Sequence, residues 1–131
     1  MSDVRRVFSG SPWEATVGYC RAVRAGPHIW VTGTVAINED GSPHVPGDAG
    51  AQAERCFEII ARALGELGAG LQDIVRTRMF VTDIARWEEI GAVHGRVFAA
   101  HPPATTMVEV SRFIGPDFLV EIEADAFVAE G

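Results

Sequence analysis

The sequence has little of what most specialised chemistries need. Cysteine occurs twice, at Cys20 and Cys56, with no Cys-x-x-Cys pair and no Cys/His spacing of the kind that holds zinc. The four histidines are scattered, His28, His44 and His101 in turns and ends and His94 in a helical stretch, without a His-x-His or His-x-x-x-His pattern; no metal is expected. Eighteen acids face eleven bases, a formal charge of -7, and no basic run offsets it, so a phosphate backbone would be repelled and no nucleic-acid partner is expected. No apolar stretch approaches the roughly 20 residues that span a bilayer, and "MSDVRRVFSGSP" lacks the apolar segment of a signal peptide. These absences point to a cytoplasmic protein without a membrane partner. The glycines at 65, 68 and 70 do not form a phosphate loop.

What is present suits one domain over residues 1–131, with 47% hydrophobic and 22% charged residues to build a single core and its surface. Strand-like runs occur at 5–8, 18–23 and 28–37, the last two joined by the turn "RAGP" as a hairpin. A turn-rich loop, 38–48, ends in Asp48, an N-cap for a helix in which Ala53, Cys56, Phe57, Ile60, Leu64 and Leu67 recur at three- and four-residue spacings; Gly68 and Gly70 suit its end. A strand at 73–81 follows, then a helix at 85–101 capped by Asp83 and stopped by Pro102 and Pro103, then a strand in the stretch 102–113, with a proline start and alternation through 105–110, and another at 118–128. The order is βββαβαββ, an α+β arrangement with two helices packed on one face of a mixed six-stranded sheet.

Strand parity divides the sheet into two faces. Val120, Ile122, Ala124 and Ala126 form an apolar set opposed by Glu121, Glu123 and Asp125. Val75, Thr77, Met79 and Val81 go with the helices, leaving Arg76, Arg78 and Phe80 outside; Thr106, Val108 and Val110 are assigned to the core, leaving Thr105, Met107 and Glu109 outside. The second face thus gathers arginines and glutamates with Trp30, Phe80 and Met107. It reads either as an ordinary solvated face or as a subunit interface with partly buried ion pairs, and the interspersed large apolar residues favour the interface. There each arginine and glutamate is read first as a paired charge that fixes docking. His94 lies near Trp87, Ile90 and Phe98 and reads as a packed histidine rather than a base. Cys20 has no visible cationic activation, and Trp13 either lines a cleft or packs the N-terminal segment.

Nearly the whole chain resembles the Rid family, also called YjgF, the reactive intermediate deaminases. The resemblance rests on "GYCRAV" (18–23), "VTGTVA" (31–36), "AQAERCFEIIARAL" (51–64), "DIVRTRMFVTDI" (73–84), "PPATTMVEV" (102–110) and "LVEIEADA" (119–126). It implies a chorismate-mutase-like sheet, a homotrimer with small-molecule clefts between subunits, hydrolysis of enamines and imines such as 2-aminoacrylate, and no cofactor. By the same resemblance Glu121 is the glutamate that holds water and the catalytic candidate. Tyr19, Thr32 (where many members have serine) and Gly33 contribute to substrate binding, with the backbone around Gly33 and Thr105 holding the substrate's polar end. The departure falls at Thr105, where the family deaminases carry an arginine that grips the substrate carboxylate. A threonine hydroxyl cannot reproduce that bidentate, charge-assisted contact. Arg78 could enter the cleft in its place, or could pair with Glu109 or Glu123. A ligand-binding or regulatory module that keeps the fold without catalysis is the alternative, and ribonuclease activity, attached to some members, fits the acidic charge poorly.

Overall fold

The computed structural model describes residues 4–129. Six strands, β1 (Val4–Val7), β2 (Ala22–Ala25), β3 (His28–Val35), β4 (Ile74–Val81), β5 (Ala104–Glu109) and β6 (Val120–Phe127), form one mixed sheet in the spatial order β1-β2-β3-β6-β4-β5. Only the β4–β5 pair is parallel; the others are antiparallel. The expected order holds, with a short helix α1 (Pro12–Val17) added between β1 and β2. Ser11 caps α1 through Trp13 N, with Pro12 at its first position.

Helix α2 (Ala49–Glu66) starts where Asp48 accepts from Ala51 N at 2.9 Å. It buries Ala53, Cys56, Phe57, Ile60 and Leu64 along one stripe, against β3 and β6. Asp83 caps a 3-10 turn, Ile84–Arg86, that leads into α3 (Trp87–Val97), and α3 packs on α2. The core lies between this helical layer and the alternating residues Val120, Ile122, Ala124 and Ala126, all 3% exposed or less.

Three register details differ from simple alternation. In β3 the pairing jumps from Val31↔Ala124 to Thr34↔Ile122, so one extra residue bulges at Thr32–Gly33. Burial shifts phase with it: Ile29 and Val31 are buried before the bulge, Thr34 and Ala36 after it. In β4 a similar irregularity turns Val75 outward and buries Ile74 instead, correcting the assignment of Val75 to the core. Strand β5 is inverted relative to expectation. Thr105 lies opposite Thr77 and Met107 opposite Met79 in the parallel pairing, so Thr105, Met107 and Glu109 share the helix face while Thr106 and Val108 share the other. The cause is its position. An edge strand with Thr105, Thr106 and Val108 all exposed carries no burial pattern from which its phase could be read.

Candidate functional site

The bulge in β3 is a finished structure, because each carbonyl it frees has a partner. Thr34 Oγ1 donates to Thr32 O at 2.9 Å, Arg21 Nη1 to Gly33 O at 2.9 Å, and Cys56 Sγ to Thr34 O at 3.2 Å. Its result is to set Gly33 against the side chain of Glu121 from β6. A Cβ at position 33 would stand 3.0 Å from the Glu121 carboxyl carbon and overlap Oε2. The carboxylate occupies the room that a side chain would take, so any side chain at position 33 would displace it. Burial pushes the Glu121 carboxyl above its ordinary value of 4.5, the nearby Glu123 adds to the rise, and Arg21 opposes it.

Arg21, just before β2, is buried to 8% exposure beside Glu14 at 4%. Its Nη1 also donates to Thr34 Oγ1 at 3.2 Å. Its Nε lies 3.5 Å from Glu14 Oε2 and has no hydrogen-bond partner. Glu14 is itself held by Ser9, accepting from Ser9 N at 3.0 Å and from the Ser9 hydroxyl. A third support comes from α2. Gln52, fully buried, donates to Asp117 O at 2.9 Å and accepts from Leu119 N at 2.8 Å, fixing the segment that enters β6 two residues before Glu121. The sequence reading missed both Arg21 and Gln52. A signal existed for each: Arg21 alternates with Tyr19 and Val23, and Gln52 stands beside Ala53 on the buried stripe.

The residues singled out from sequence divide between two hollows that meet at Tyr19. A cavity of ≈ 700 Å³ is lined by Tyr19, Gly33 and Glu121 together with Trp13, Arg21, Ile59, Phe113, Ile114 and Phe118. A second hollow, of ≈ 750 Å³, is lined by Tyr19, Cys20, Thr32, Trp30 and Arg78. Arg78, while lining this hollow, is paired: Nη1 lies 3.5 Å from Glu123 Oε1 and 3.3 Å from Asp125 Oδ2. Glu109, expected on the charged face, instead accepts from Ile84 N at 3.0 Å where the turn into α3 begins.

Thr105 lines neither hollow. Within one protomer it lies on the helix face, where the Thr77 hydroxyl donates to it at 2.6 Å and lies 2.8 Å from His94 Nε2. His94 is packed against Phe57 and Phe98, and burial lowers its pKa below the ordinary 6.5, favouring the neutral ring. Among the described residues no group of three His, Cys, Asp or Glu side chains is placed to hold a metal ion, and no helix is long and apolar enough to cross a membrane.

Residues 10–128 match the model of the family described as Endoribonuclease L-PSP. The chain is 31% identical over 110 residues to the 3-aminoacrylate deaminase RutC of Acinetobacter baylyi, covering 84% of this chain and 86% of that protein.

The chain belongs to the Rid/YjgF family.

Solved structures agree. A YjgF-family member from Mycobacterium tuberculosis superposes with a TM-score of 0.88 at 48% identity, over 96% of this chain and all of that one. A Thermotoga maritima protein described as a putative endoribonuclease gives 0.81 at 29% identity, over 96% and 93% of the two chains. The mixed six-stranded α+β sheet with its three helices thus matches the structures of these YjgF-family neighbours.

Proposed function

We propose that this Rid/YjgF protein hydrolyses a small imine or enamine in clefts between the subunits of a homotrimer, with Glu121 as its acid–base residue. The observation that carries this reading is the Glu121 carboxyl packed over Gly33, partly withdrawn from water with a raised pKa, on a cavity it shares with Tyr19. A carboxyl whose proton is held more tightly than usual is suited both to take a proton from water and to return it. Similarity to the Acinetobacter 3-aminoacrylate deaminase adds to it.

In the proposed step water attacks the iminium carbon, the C=N electron pair moves to nitrogen, and Glu121 takes the water proton. Glu121 then protonates the carbinolamine nitrogen. The hydroxyl oxygen forms C=O as the C–N bond breaks, ammonia carries off the last proton as ammonium, and Glu121 ends ionised as it began. Tyr19, Thr32 and the backbone around Gly33 supply hydrogen bonds. Every basic residue of the chain is an arginine, so no lysine is available to form a Schiff base with the substrate. The chemistry needs no cofactor.

The trimer is supported by the surface that one protomer leaves uncovered. β1 and β5 are open sheet edges, and the face opposite the helices exposes Trp30, Val108 and Phe127. Thr105 could meet a Glu121 only across such a boundary. A ligand-binding module without catalysis is the second reading, favoured by Thr105 standing at the clamp position with its hydroxyl tied to Thr77 and by Arg78 being engaged by Glu123 and Asp125. Ribonuclease activity fits the net charge of -7 least well. A cytoplasmic location completes the proposal.

The test couples an enzyme that releases 2-aminoacrylate to a measurement of its loss, with wild type, Thr105→Arg and Glu121→Gln. Slow wild-type turnover, faster in Thr105→Arg and abolished by Glu121→Gln, is the expected result. Turnover undiminished in Glu121→Gln overturns the assignment. Light scattering showing a monomer at micromolar concentration removes the interface cleft.

A further inference from the structure

We infer that the cavity beside Glu121 selects an aromatic iminium ion, or the parent ammonium, that bears no carboxylate. The inference rests on the hydrolase reading above and narrows it to a substrate class. Its basis is charge and shape.

The carboxylates lining the cavity are five, Glu39, Asp40, Glu58, Glu66 and Glu121, against the three guanidiniums of Arg21, Arg55 and Arg62. Each guanidinium already has at least one partner, although Arg21 Nε is buried without a hydrogen bond. Arg21 holds Gly33 O and Thr34 Oγ1 and faces Glu14 at 3.5 Å; Arg55 holds Ile37 O at 2.9 Å and Glu58 at 3.1 Å; Arg62 lies 3.7 Å from Glu39. Among the described residues this leaves Asp40, Glu66 and Glu121 on the cavity without an ion-pair partner. A ligand carboxylate would therefore enter a net-negative space in which every guanidinium already faces a carboxylate, whereas a cationic nitrogen finds Glu121.

The walls set the rest of the class. Trp13, Ile59, Phe113, Ile114 and Phe118 supply apolar and aromatic surface, and aromatic faces also attract a cation. A volume of ≈ 700 Å³ lies within the roughly 300–1,000 Å³ range of pockets for drug-sized ligands. A three-carbon enamine would leave these walls wet, while an aromatic ring on a short chain covers them and brings its nitrogen to Glu121. The chemical change is balanced: iminium plus water gives the carbonyl compound plus ammonium, with Glu121 unchanged.

Two measurements on the intact protein separate this inference from the hydrolase reading. Calorimetry compares 2-phenylethylammonium with 3-phenylpropionate, which have similar bodies and opposite charge. The expected result is tighter binding of the ammonium by about tenfold or more, a difference of about 1.4 kcal/mol. That preference should shrink in Glu121→Gln and move toward the carboxylate in Ile59→Arg, which adds an unpaired guanidinium at a half-buried wall position. Equal or tighter binding of the carboxylate in wild type overturns the inference, as does an unchanged preference in both variants.

Turnover is then followed by trapping unhydrolysed imine with semicarbazide. The imines come from 2-phenylethylamine with a flavin amine oxidase and from L-phenylalanine or L-alanine with an L-amino-acid oxidase. Preference for the imine of 2-phenylethylamine supports both readings. Preference for the alanine or phenylalanine imine overturns the inference and leaves the hydrolase reading standing. Selective ammonium binding with no turnover of any imine upholds the ligand class and sinks catalysis. Neither binding nor turnover removes both.

Discussion

Two polar clusters flank β6, one running from buried Thr77 and His94 to the exposed Thr105 and the other at the β3 bulge, and they are built to opposite specifications. On the helix side Thr77, His94 and Thr105 form a closed chain, one hydroxyl bridging a ring nitrogen and a second hydroxyl at 2.8 and 2.6 Å. The ring is held neutral by burial, and the chain borders neither hollow. At the β3 bulge Arg21, Gly33 and Glu121 are left incomplete. Arg21 Nε is buried without a hydrogen-bond partner, the Glu121 proton is held more tightly than usual, and the group opens onto a cavity. A satisfied polar chain stiffens a core; an incompletely satisfied one beside a cavity is available to a ligand. The difference separates a histidine closed into a hydrogen-bonded chain from a glutamate that faces a cavity.

The most severe way to break the comparison is Gly33→Ala. The new methyl displaces the Glu121 carboxylate, so ligand binding and turnover should collapse, while thermal unfolding should show a loss of about 1–3 kcal/mol typical of overpacking. A variant that keeps full binding would show that the close approach of Gly33 and Glu121 has no functional meaning. Glu121→Gln is next. It should fold, lower imine turnover by about 10²-fold or more, and alter how stability responds to pH. Because the folded state holds the Glu121 proton more tightly than the unfolded chain, its contribution is fully present below 4.5 and is lost as pH rises through the higher folded value. Wild type should therefore lose stability relative to the glutamine variant across that window, as denaturant unfolding at a series of pH values would report.

Thr77→Val acts on the other group and should leave turnover intact. Removing the bridging hydroxyl strands a buried ring nitrogen at a cost of about 1–3 kcal/mol. His94 has the opposite pH sign to Glu121. Its folded pKa is depressed, so its contribution is present above 6.5 and is lost as pH falls through the lower folded value. That acid-side loss should disappear in His94→Gln. The smallest effect belongs to Arg78→Gln. Its pairs with Glu123 and Asp125 are partly exposed, and monomer stability should change by no more than about 1 kcal/mol. A larger change confined to the oligomer, read as a shift in assembly on dilution, would place that ion pair at a subunit boundary.

The fold was legible because its central elements announce themselves. The strict alternation from Val120 to Ala126 and the spacing from Ala53 to Leu64 each admit one buried face. At the margins legibility fails for a physical reason. β5 is exposed on both sides and could be read in either phase, and that error placed Thr105 and Glu109 on the charged face. The β3 bulge was hidden because "VTGTVA" alternates acceptably across it, and only pairing with β6 shows the extra residue. Glu121, Gly33 and Tyr19 were picked out by resemblance to a family, and the structure brings them to one cavity. Arg21 and Gln52 escaped because a polar residue in a buried run looks like an interruption until its partners across 12 and 65 residues are known.

The strand order has a consequence in time. β6 is the last strand in sequence, yet it sits at the middle of the sheet, between β3 and β4. Until residues 120–127 are made, the β1-β2-β3 and β4-β5 portions have no common strand to join them. β3 and β4 then present open hydrogen-bonding edges, a state prone to pairing with other chains. Synthesis thus withholds the join, and with it Glu121, until residues 120–127 are made, and a nascent chain arrested before residue 120 carries neither.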